Sequence, residues 1–109
     1  MVYNELLAQR ISFYFSDHPN LKEKRMFGGI AFMVNGNMTC GVIKNDLMAR
    51  IGPDFYEKAL SMPYVREMDF TKRPMKGMIY VSEEGIQEDK DLHFWIEKCL
   101  EFTYTLPEK

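Results

Sequence analysis

Between residues 26 and 51 the chain sets short apolar runs between two polar interruptions, Asn35-Gly36-Asn37 and Lys44-Asn45-Asp46. Apolar runs of this length, bounded by turn formers, read as a three-stranded meander with strands at about residues 28–34, 38–43 and 47–51. Side chains on a strand alternate between its two faces, so Ile30, Phe32 and Val34 share one face and Gly29, Ala31 and Met33 the other. Read across the turn, Thr39 and Gly41 fall beside the large set, and Cys40 and Val42 beside the small one. Bulky residues then face small ones, as close packing requires.

The flanks complete the pattern. Tyr3, Leu7, Ile11, Tyr14 and Phe15 recur at helical spacing and form one apolar face. His18, Pro19 and Asn20 end that helix, because proline lacks an N–H and restricts the residue before it. Residues 21–25 read as a charged connector. After the meander, Gly52-Pro53-Asp54 opens a short helix running to about residue 61, with proline at the first helical position and an acid in the first turn.

Residues 65–70 and 78–82 alternate again and form two further strands on either side of the turn-rich stretch 71–77. Asp89 is expected to cap a last helix, whose Leu92, Trp95, Ile96, Cys99, Leu100 and Thr103 lie on one stripe; Pro107 ends it. The order is α-β-β-β-α-β-β-α. The connections are too short for repeated parallel crossovers, so the expected fold is α+β, with helices packed against a mainly antiparallel sheet. A chain of 109 residues makes one domain, here taken as 1–109.

Composition narrows the functions. Hydrophobic residues make up 46% and charged residues 28%, which is a folded chain and not a disordered tail. The formal net charge of −2 lacks the basic surplus that neutralises phosphates, which argues against direct nucleic-acid binding. MVYNELLAQRIS has no basic segment followed by a long apolar run, and no apolar stretch approaches the roughly 18 residues of a membrane span. A cytoplasmic location without membrane contact is expected. Cys40 and Cys99 have no CxxC spacing and cannot complete a four-ligand zinc site, so both are read as reduced, buried thiols.

Few residues suggest chemistry. His18 and His93 have no second ligand at metal spacing, and Ser12, Ser16, Ser61 and Ser82 lack a nucleophile elbow. No catalytic residue, metal site or cofactor is therefore assigned. Phe27-Gly28-Gly29 neither opens a helix nor precedes a lysine–serine or lysine–threonine pair, so it is no phosphate loop. Its glycines are expected to permit a bulge or close packing of the first helix on the first strand.

Arg50 falls on the strand face of Met48, opposite Leu47, Ala49 and Ile51. If Arg50, Arg73 and Lys76 converge, they form an anion site for a carboxylate or phosphate. The competing expectation is that Arg50 and Lys76 pair with Glu67 or Asp69 across the sheet, as solvated ion pairs worth little. Nine methionines are many for this length. They serve either as gap-fillers in the core or as an adaptable exposed interface, and the core reading is the stronger.

Met26-Phe27-Gly28-Gly29, Gly36-Asn37-Met38, Leu47-Met48-Ala49-Arg50-Ile51, Arg66-Glu67-Met68-Asp69-Phe70, Pro74-Met75-Lys76-Gly77, Tyr80-Val81 and Trp95 stand in an order that resembles the TfoX/Sxy N-terminal domain family. The resemblance covers nearly the whole chain. It implies a compact α+β domain similar to secretion chaperones. Fuller members are bacterial competence regulators, in which this domain precedes a helical C-terminal domain and the protein helps a transcription activator switch on DNA-uptake genes.

The 109 residues correspond to the first domain alone. The resemblance implies a non-enzymatic regulatory module with a protein partner, such as a transcription regulator. Apart from the resemblance, strand edges or a methionine face would support a homodimer, which the sequence does not decide. It brings no catalytic residues. Met26, Phe27, Gly28, Gly29, Gly36, Arg50, Lys76 and Gly77 carry over only as positions of the family pattern. The alternative function is small-anion or metabolite binding, with or without catalysis, through Arg50 and Lys76.

Overall fold

The computed structural model describes residues 3–26, 28–68 and 76–108. In chain order the elements are α1 (Glu5–Tyr14), β1 (Leu21–Met26), β2 (Gly29–Val34), β3 (Asn37–Ile43), β4 (Asp46–Arg50), α2 (Pro53–Leu60), β5 (Val65–Glu67), β6 (Met78–Val81), a 3-10 turn at Glu83–Gly85, and α3 (Asp89–Thr103). One sheet runs β1-β2-β3-β4-β6-β5, with every neighbouring pair antiparallel. The expected α+β class holds, with one strand more.

That strand is β1, which the sequence presented as a charged connector. Lys22, Glu23, Lys24 and Arg25 are exposed, and only Leu21 and Met26 at the ends are half-buried. An edge strand wet on both faces has no apolar alternation to read. Its charges discourage pairing with another chain. At the other edge β5 is three residues long; residues 69–75, with the end of the expected strand and the turn after it, lie outside the described residues.

The β2–β3 register also differs from the expected one. Asn35 (φ 54°) and Gly36 (φ 82°) form a two-residue turn in which both residues have positive φ, so Asn37 already belongs to β3. A bulge then shifts the pairing from Met33↔Met38 to Phe32↔Cys40 and Ile30↔Val42. Cys40 and Val42 therefore lie beside Phe32 and Ile30, and Gly41 beside Ala31. One extra residue in a strand reverses the faces from there on. The bulge leaves Thr39 buried, with its hydroxyl 3.0 Å from that of Thr103 on α3.

All three helices cover one face of the sheet. Leu7 and Ile11 of α1, Tyr56 and Ala59 of α2, and Leu92, Trp95, Ile96 and Cys99 of α3 share a core with Phe32, Val34, Val42, Leu47, Ile79 and Val81. The opposite face carries a second cluster of Met48, Met68 and Met78, against which Met38, Ile43 and Tyr80 pack. These methionines fill gaps. A Cβ at Gly41 would crowd the Ile30 carbonyl oxygen and the Met48 methyl, so glycine there lets Met48 lie on the sheet.

Capping explains where α1 begins but not α3. The Asn4 side chain accepts from the Leu7 N–H at 3.0 Å, a contact worth about 1 kcal/mol. Asp89, expected as a cap, is instead the first residue of α3; Glu88 holds the cap position without a side-chain bond. The Asp89 carboxylate accepts from Arg10 at 3.1 Å and ties α3 to α1.

Candidate functional site

Arg50 ends β4, opposite Met78 on β6. Just beyond it, the Gly77 carbonyl accepts from the N–H groups of Ile51 (2.9 Å) and Gly52 (3.1 Å). The backbone thus brings Arg50 and Lys76 to one end of the β4–β6 pair. Gly77 has φ 97°, and a Cβ there would come 3.2 Å from the Gly52 carbonyl carbon. This motif glycine lets β6 start close against the beginning of α2.

The two cations have different surroundings. The Arg50 side chain is half-buried; its Nη1 donates to the Met38 carbonyl at 3.4 Å, and its guanidinium carbon lies 5.4 Å from the centre of the Phe102 ring. Lys76 is exposed. Arg73 lies outside the described residues. So does Asp69, and the ion pairs found among the described residues are Arg10–Asp89, Arg66–Asp46 and Lys98–Glu101. Among the described residues, the cross-sheet pair with a carboxylate is that of Arg66 with Asp46, at 2.7 Å.

Among the described motif positions, Gly28 and Gly29 have structural reasons. Met26 pairs with Gly29 where the β1–β2 hairpin closes. Gly28 takes φ 74° in that turn, while a Cβ at Gly29 would collide with the Val42 carbonyl oxygen. Gly29 therefore serves the approach of β3, not the expected packing of α1. Phe27 lies outside the described residues.

Potential nucleophiles and ligands are tied up in packing. Cys40 and Cys99 are free thiols, both buried. Burial pushes the Cys99 thiol up to about 12, against a weaker opposing pull from the Arg50 backbone N–H, and burial with the neighbouring Cys99 raises Cys40 well above its ordinary value. Reactive thiols need the reverse shift. His18 Nδ1 accepts from the Asn20 N–H at 3.2 Å, so in the neutral ring Nε2 carries the proton and donates to the Tyr104 hydroxyl at 3.0 Å. The His93 ring lies 4.7 Å from that of Tyr14, tilted by 50°. Among the described residues no three His, Cys, Asp or Glu side chains gather as a metal site would require.

What the sequence reading passed over is apolar surface. Leu6 and Phe13 are 67% and 81% exposed. They stand seven residues apart on α1, hence on one stripe. Being large, apolar and outside the buried stripe of Leu7 and Ile11 was their readable signal.

The TfoX N-terminal domain family matches residues 14–103 of the 109. The chain belongs to that family. In this TfoX N-terminal domain the match runs from the last residue of α1 through all six strands to the last residue of α3. No curated protein and no solved structure matches the chain. Among the described residues no helix is long and apolar enough to cross a membrane.

Proposed function

We propose that this TfoX N-terminal domain is a non-enzymatic regulatory module that works in the bacterial cytoplasm by binding another protein. In keeping with the competence regulators of its family, that partner belongs to the transcription machinery. The observation carrying this reading is the pair Leu6 and Phe13, left in water on one stripe of a helix that already buries its other face. Isolated exposed apolar residues need no explanation; two large ones a heptad apart form an anchor for a partner's groove or helix. Affinity capture from the source cell, compared with the Leu6→Ser/Phe13→Ser variant, tests it. A protein retained by the native chain and lost by the variant is expected; identical captures contradict the reading.

A second reading, a small-anion site, is favoured by the placement of Arg50 and Lys76 at one end of the β4–β6 pair. Titration with inorganic phosphate should then show saturable binding that Lys76→Ala weakens at least about tenfold, in line with losing a charge-assisted hydrogen bond. Equal binding by both proteins rules it out.

A further inference from the structure

An open groove of about 570 Å³ runs between the exit of α2, the 3-10 turn and the start of α3. Its apolar walls are Met62, Tyr64, Phe94 and Trp95, and its charged lining is Glu84, Asp91 and the exposed Lys90, two carboxylates against one ammonium. Among the described residues, neither carboxylate belongs to an ion pair. Tyr64 has φ 68°, a left-handed conformation uncommon for a bulky side chain. Its carbonyl accepts from the Ser82 N–H at 2.8 Å, and glycine at 85 admits its Cβ at close range. The Tyr64 backbone is thus held at the groove while 54% of the residue stays exposed.

The adjoining aromatic cluster already holds a cation. Phe94 and Trp95 meet edge-to-face at 5.1 Å, and Lys98 Nζ lies 4.9 Å from the Phe55 ring centre and 5.7 Å from that of Phe94. Aromatic walls with nearby carboxylates favour a flat cation that stacks and donates to acids. Guanidinium does both better than ammonium, which is compact and strongly hydrated.

We propose that this groove receives an arginine side chain of the partner protein, stacked on Tyr64 and Phe94 above the buried Trp95 and hydrogen-bonded to Glu84 or Asp91. The inference rests on the protein-binding reading, but it concerns a different surface and is tested without the partner. Trp95 is the only tryptophan and lies beneath the groove lining, so its fluorescence reports on the groove.

The probe is the capped peptide Gly-Arg-Gly-Arg-Gly, with the citrulline peptide as its uncharged near-isostere. Saturable quenching by the arginine peptide is expected, at least about tenfold tighter than by citrulline, as a charge-assisted contact implies. Tyr64→Gly keeps the backbone conformation and removes the ring; Glu84→Gln/Asp91→Asn removes the charges. Each should weaken binding at least about tenfold while thermal unfolding shows the variant folded. Equal affinity for the two peptides, no binding up to about 10 mM, or undiminished binding by the folded variants overturns the proposal. Failure here leaves the capture experiment with Leu6 and Phe13 unaffected.

Discussion

At Gly29 a single added methyl group would strike the Val42 carbonyl oxygen, whereas at Gly28 it would meet nothing within 4 Å. The two neighbours should therefore differ in cost. Gly28→Ala incurs only the left-handed backbone penalty, about 1 kcal/mol, while Gly29→Ala must displace β3 and should cost more than about 2 kcal/mol. Urea unfolding midpoints would separate them. The thiols give a residue-scale pH effect. Cys40 and Cys99 remain protonated when folded, to about 12 for Cys99, but ionise near 8.5 in the unfolded chain. Their contribution is complete below about 8.5 and falls as pH rises toward the folded value, by about 1.4 kcal/mol per pH unit for each thiol. Denaturation between pH 8 and 11 should show the native chain losing more stability than Cys40→Ala/Cys99→Ala. Parallel curves would refute the shift.

At the scale of elements, legibility follows how each one buries its residues. The stripes of α1 and α3 were readable because a single face of each enters the core. Asn35-Gly36 was readable because few residues accept positive φ. β1 was not, since it buries almost nothing, and the face of Cys40 was not, since the β3 bulge has no local sequence mark. The bulge leads to a testable contact. Replacing Thr103 with valine leaves the buried Thr39 hydroxyl with only a long 3.4 Å contact to the Asn37 carbonyl, and should cost about 1–3 kcal/mol. Adding Thr39→Val should cost less than the sum of the two single changes. Additive losses in a double-mutant cycle would mean that the hydroxyls do not interact. The exposed charges of β1 make a different prediction: Lys22→Val/Lys24→Val should self-associate in light scattering where the native edge does not.

Across the whole molecule, the sheet separates two jobs. One face carries three helices and the main core; the other closes over Met48, Met68 and Met78. The sequence showed neither this division nor the groove, because Tyr64, Glu84 and Phe94 come together only through the α2–β5 and β6–α3 connections. The Arg50–Lys76 neighbourhood was partly legible, since strand alternation put Arg50 on the Met48 face; its contact with Phe102 depends on where α3 lands. The protein binding proposed for this fold is assigned to its helical side, where Leu6 and Phe13 remain uncovered. Amide hydrogen exchange on the native chain, free and with the protein captured through Leu6 and Phe13, tests that most directly. Slowed exchange over residues 5–14 in the complex is expected. Unchanged exchange there, with protection confined to β1 or to the β4–β6 end, would contradict it.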